Sequence, residues 1–117
     1  MSLLSIQFAS KKLARQFNSQ KALLRAFGAK RAKRLAIVLS SLRAAPNLGV
    51  FAPPYSPPHR CHELTGNLKG KLSLDLDGPY RLLIEPANDP VPRRDDGGLD
   101  WHAVTAIRIL GIEDTHG

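Results

Sequence analysis

Imidazole and cationic side chains recur along one stretch of the sequence, at Arg60, His62, Lys69, Lys71 and Arg81, and again at His116 beside Asp114. An imidazole next to a phosphodiester can take a proton and return it, while Lys and Arg stabilise charge developing on the phosphorus oxygens. If these segments form an antiparallel sheet, His62, Lys71, Arg81 and His116 converge on one concave face, and that face suits phosphate chemistry. The same residues also suit a solvated sheet edge, where a histidine makes a surface hydrogen bond and basic groups serve solubility. Other chemistries find no pattern here. Cys61 and the four histidines His59, His62, His102 and His116 lack the C-x-x-C and H-E-x-x-H spacings, so no metal site and no cofactor are expected. Gly66-Asn67-Leu68-Lys69-Gly70 is not a P-loop, and no nucleophile elbow is present.

Charge is divided unevenly along the chain. Residues 1–62 contain eleven Lys and Arg and no acid, with Lys30, Arg31, Lys33 and Arg34 the densest group. From Glu63 onward six Lys and Arg face all ten Asp and Glu, although the whole chain is formally +7. Solvated helices usually mix both signs, so an acid-free half points to a polyanion or an acidic protein partner.

The elements that must position these groups follow from apolar spacing. Ile6 and Phe8 alternate as in a short strand, and Ser10 is placed to cap a helix. Leu13 and Phe17, Leu23 and Phe27, then Leu35, Leu39 and Leu42 fall at helical spacing up to Ala45-Pro46. Weak points at Asn18-Ser19 and at Gly28 predict two helices, or one long helix interrupted. A Pro-rich loop over 46–58 follows, stiff because proline fixes the backbone, and Val50, Phe51 and Tyr55 give it apolar groups to pack on the domain. The period then changes to two: strands are predicted around 61–64, 72–77 and 80–85, and over 103–112 beyond a polar, acidic loop at 86–100. The whole reads as one α+β domain over residues 1–117, with helices on one face of an antiparallel sheet of about four to five strands. A lone cysteine, no signal peptide and no run of about 20 apolar residues predict a cytoplasmic protein without a membrane anchor.

Several runs taken together resemble a known family. They are Arg60-Cys61-His62-Glu63-Leu64-Thr65-Gly66, Lys69-Gly70-Lys71-Leu72-Ser73-Leu74-Asp75-Leu76, Pro79-Tyr80-Arg81-Leu82 with Glu85-Pro86, Asp100-Trp101, and Glu113-Asp114-Thr115-His116. Together with Phe27 to Leu35 they resemble the HigB branch of the RelE/ParE toxin superfamily, also called proteic killer or killer suppression proteins, over nearly the whole chain. The resemblance implies two N-terminal helices packed on a twisted antiparallel sheet. It also implies the toxin of a type II toxin-antitoxin pair, which enters the ribosomal A site and cuts mRNA without a metal, by 2′-hydroxyl attack on the adjacent phosphate. The implied partners are the ribosome and mRNA, a HigA-like helix-turn-helix antitoxin, and operator DNA only through the antitoxin complex.

By position, His62 matches the family's strand histidine, and Asp114 and His116 match its Asp-Tyr-His ending. Arg60, Lys69, Lys71 and Arg81 correspond to groups that hold phosphate or stabilise the transition state, with Arg81 in the catalytic set. Thr115 departs from the pattern, standing where the family usually has Tyr. Lys30, Arg31, Lys33 and Arg34 suit docking on a wall of rRNA phosphate. Two other readings use the same chain: a ParE-like toxin that inhibits DNA gyrase by binding, and a non-catalytic, degenerate toxin that binds its antitoxin and aids operon repression. Thr115 and the Pro-rich loop motivate the second.

Overall fold

The computed structural model describes residues 2–115. His116, a candidate catalytic residue, lies outside the described residues. The chain opens with strand β1 (Ser5–Phe8) and enters a helical layer of α1 (Lys11–Gln16), α2 (Gln20–Phe27) and α3 (Ala29–Ala44). Both weak points of the helical pattern are real breaks, which makes three helices. Ser10 caps α1, its side chain accepting from Leu13 N at 3.1 Å, and Ser19 caps α2, accepting from Ala22 N at 3.0 Å. Gly28 separates α2 from α3 at φ +81°, a left-handed conformation that glycine adopts without the Cβ penalty.

α3 carries the main apolar stripe. Leu35, Val38, Leu39 and Leu42 are fully buried at helical spacing, and each stabilises the fold by roughly 1.5–3 kcal/mol. They pack with Leu72, Leu74, Leu82, Ile84, Ile107 and Ile109 of the sheet in a single core. Phe17 joins this core through a tilted contact to Phe8 and an edge contact to Phe27, each with ring centroids 5.6 Å apart.

The remaining strands are β2 (His62–Glu63), β3 (Leu72–Asp75), β4 (Tyr80–Pro86) and β5 (Ala106–Asp114), and the five-stranded sheet runs β1-β5-β4-β3-β2. β2 through β5 form an antiparallel meander, but β1 pairs parallel to β5 from Ser5↔Ala106 to Phe8↔Ile109. The sheet is therefore mixed, and the expectation of an antiparallel sheet is corrected at that edge. Alternation at Ile6 and Phe8 marks a strand but says nothing about the direction of a neighbour a hundred residues away.

The Pro-rich loop folds onto the domain. Asn47 caps a 3-10 turn at Leu48–Phe51, accepting from Gly49 N at 2.9 Å, and Leu48 and Phe51 are buried while Val50 and Tyr55 stay more than half exposed. In the 86–100 loop, Asn88 accepts from Thr105 N and Ala106 N with its side-chain oxygen, and Trp101 seals the end, donating to Glu63 at 3.3 Å. Among the described residues no helix is long and apolar enough to cross a membrane.

Candidate functional site

His62, Ser73, Asp75 and Arg81 of β2, β3 and β4 share one face of the sheet. His62 pairs with Ser73, and Asp75 pairs with Arg81, while the alternate positions Leu72, Leu74 and Leu82 enter the core. Asp75 is the centre of this patch. Its carboxylate accepts from Arg81 Nε at 3.0 Å and from Arg60 Nη1 at 3.2 Å. Arg81 is fixed further by donating Nη1 to the carbonyls of Gly78 and Tyr80, both at 2.9 Å. Two guanidiniums gathered on one carboxylate are a fork that matches the geometry of an oxyanion.

His62 lies beside them. Its Nδ1 is 3.2 Å from the Glu63 carbonyl oxygen and its Nε2 is 3.3 Å from Ser73 Oγ. A carbonyl oxygen can only accept, so in the neutral ring Nδ1 holds the proton and Nε2 accepts from the Ser73 hydroxyl. That tautomer turns the basic nitrogen toward the patch rather than toward the backbone.

One side of the His62 ring is covered by Tyr55, stacked at a centroid distance of 4.0 Å and an interplanar angle of 14°. Tyr55 comes from the Pro-rich loop, where its backbone turns left-handed at φ 67°, followed by Arg60 at φ 48°. Each such conformation costs a non-glycine residue about 1–3 kcal/mol, offset here by the ring stack and by the Tyr55 N to Cys61 O hydrogen bond at 3.0 Å. Arg60 Cζ stands 5.3 Å from the Tyr55 ring centroid.

The other nominated residues occupy different places. Lys69 and Lys71 stand at the turn end of the β2–β3 hairpin, four residues from Asp75 for Lys71, or roughly 13 Å at strand rise. Asp114 pairs with Tyr80 on β4, one register position from Glu113↔Arg81, so alternation sets it on the sheet face opposite Arg81. Of the four residues expected to converge, His62, Lys71 and Arg81 fall on one sheet face by register, with Lys71 at its turn end, and His116 lies outside the described residues. Thr115 is fastened to the β3–β4 turn, both its amide and its hydroxyl donating to Pro79 O, at 3.0 and 2.8 Å.

The basic group on α3 also divides. Arg31 is engaged within the fold, its Nε 3.2 Å from Asp77 Oδ1 and its Cζ 3.4 Å above the Tyr80 ring. These contacts hold its Nε and one face of its guanidinium within the fold. Lys30, Lys33 and Arg34 instead line an open groove of about 560 Å³ with Ile37, Pro58, Asp75, Leu76 and Asp77. Asp75 belongs to both the groove and the sheet patch, so the two basic clusters adjoin.

Behind the patch, His59 is buried with Nε2 2.9 Å from Ser41 Oγ, and burial together with the Arg34 charge lowers its pKa. The Cys61 thiol is pushed up to about 12 by burial and by Glu63, which leaves it protonated and unreactive at neutral pH. Among the described residues no three His, Cys, Asp or Glu side chains are placed to share a metal ion.

Sequence reasoning missed Tyr55, Ser73 and Asp75 as members of the site. Ser73 and Asp75 did signal a polar sheet face by alternating with Leu72, Leu74 and Leu76, but only the register matches Asp75 to Arg81. No known protein-family model matches the chain, and no curated protein is significantly similar to it.

Proposed function

We propose that this chain is the toxin of a type II toxin-antitoxin pair, a ribosome-dependent endonuclease that cuts mRNA and arrests translation in the cytoplasm. The observation that supports it best is the sheet face where Arg60 and Arg81 hold Asp75 and His62 shares the face through Ser73, next to an acid-free basic helix. In this reading His62 Nε2 takes the proton of an RNA 2′-hydroxyl, which replaces Ser73 as its hydrogen-bond donor. The freed oxygen bonds to the adjacent phosphorus as the bond to the 5′-oxygen breaks, leaving a 2′,3′-cyclic phosphate and a 5′-hydroxyl. Arg60 and Arg81 stabilise the charge on the non-bridging oxygens, and His116 returns a proton to the leaving oxygen. Lys30, Lys33 and Arg34 dock on rRNA, with Lys69 and Lys71 at the rim. The fold is then RelE/ParE-like, with α2 and α3 as the helical pair on the sheet. The antitoxin is HigA-like, and operator DNA is met only through the complex.

Induction without antitoxin, with mRNA 5′ ends mapped in wild type, His62→Ala and His116→Ala, tests the reading. In-frame cuts that vanish in the variants are expected; equal toxicity of all three removes the assigned roles. Growth arrest without cuts, with gyrase inhibited, selects the gyrase-binding toxin instead. A second reading is favoured by one observation: Asp75 already pairs with both arginines. In that reading the chain is a degenerate toxin that only binds its antitoxin, and intact mRNA alongside tight antitoxin binding would support it.

A further inference from the structure

Tyr55 is an exposed aromatic ring in an unusual setting. It is 52% exposed, yet it is held by a left-handed backbone, a hydrogen bond from its amide and a parallel stack on His62. The stack and the amide hydrogen bond hold the ring fixed at the surface despite a conformation that costs about 1–3 kcal/mol. The ring is also surrounded by phosphate chemistry, with Arg60 beside it and Asp75 and Arg81 one step further across the sheet.

We infer that Tyr55 is a base-stacking platform: it binds a single-stranded RNA nucleotide by stacking on its base, while Arg60 takes the adjoining phosphate. His62 supports one face of the ring. The other contact, Arg60 at 5.3 Å from the centroid, is loose, and the Arg60 side chain is itself about half exposed. An incoming base displaces that contact, and the guanidinium exchanges its ion pair with Asp75 for the phosphate. Stacking of this kind is tolerant of sequence because every base has a π-face. The base then lies one ring away from His62, with Tyr55 between them, so Tyr55 is a positioning residue for the cleavage proposed above, and the inference rests on that reading for its choice of RNA.

The test uses the full chain and a short single-stranded RNA, 2′-O-methylated throughout so that it cannot be cut, with 2-aminopurine at one position. At low salt the wild type binds and quenches the 2-aminopurine, as stacking requires. Tyr55→Ala weakens binding by roughly 5- to 150-fold and abolishes the quench. Tyr55→Leu, which keeps apolar bulk in the loop, behaves like Tyr55→Ala, and Tyr55→Phe retains both signals. The inference is overturned if the wild type does not bind, or if Tyr55→Ala and Tyr55→Leu bind and quench as the wild type does. Cleavage in a translating extract is read separately. Stacking through Tyr55 with intact mRNA leaves the inference standing and removes the nuclease reading. Cleavage with Tyr55 variants indistinguishable from wild type in both assays does the reverse.

Discussion

Replacing Arg31 with alanine removes two contacts that join α3 to the β3–β4 turn. The guanidinium lies 3.4 Å above the Tyr80 ring, and its side chain is 23% exposed, between a surface cation–π pair and a desolvated one. That contact contributes about 1–1.5 kcal/mol. The ion pair with Asp77, whose side chain is 11% exposed, adds about 0.5–1 kcal/mol once solvent screening is allowed for. Arg31→Ala is therefore expected to lose about 1.5–2.5 kcal/mol, which for a domain of this size lowers Tm by roughly 5–15 °C. Arg31→Lys keeps a charge for Asp77 but not a planar group for Tyr80, and loses about half as much. Urea denaturation of wild type, Arg31→Ala, Tyr80→Leu and the double variant checks the assignment, with a coupling energy near 1 kcal/mol expected in the cycle. Single-variant losses under about 0.3 kcal/mol at unchanged m-value refute the reasoning, because the guanidinium would then be a spectator in solvent.

Other expectations follow from the same contacts. Asp75→Asn frees Arg60 and Arg81, so stability falls by about 1 kcal/mol while binding of a polyanion tightens and its dependence on salt steepens, read by titration at several salt concentrations. Exchanging Lys30, Lys33 and Arg34 for alanine together flattens that salt dependence, whereas Arg31→Ala leaves it unchanged. His59 is held neutral in the fold with its pKa below 6.5, so the unfolded chain takes up the proton first as pH falls. Stability is accordingly lost from about pH 6.5 down to the folded-state pKa, by up to about 1.4 kcal/mol per pH unit, and His59→Gln removes that slope in urea titrations across pH. Leu39→Ala in α3 costs about 3–4 kcal/mol by the same denaturation assay, since a fully packed leucine leaves a cavity between helix and sheet.

How much of this was legible in the sequence depended on whether the cause was local. The cap at Ser10, the breaks at Asn18-Ser19 and Gly28 and the apolar phase of Leu35, Leu39 and Leu42 act within a turn or two, and each stands where spacing places it. Alternation also placed His62 and Arg81 on strands, and the register brings them to one face. The parallel direction of β1 was hidden because it is decided by β5, far away in the chain. Arg31 resembled its neighbours Lys30, Lys33 and Arg34 until α3 was set against Tyr80. Tyr55 read as a loop residue able to pack on the domain. Its stack on His62 depends on a backbone turn at φ 67° that a tyrosine does not announce.

The parallel edge formed by β1 has a consequence for the order of assembly. Arg108 on β5 donates to Gln7 on β1 across 101 residues, and β5 lies between β1 and β4, with neighbours on both sides. β1 therefore waits unpaired until β5, about a hundred residues later, has been made, while the helices and the β2–β4 meander can form from nearby segments. Pairing β1 with β5 closes the sheet through contacts of the longest sequence separation. A nascent chain halted before Ala106 would expose Ile6 and Phe8 along an unfinished edge, available to chaperones or to another incomplete copy.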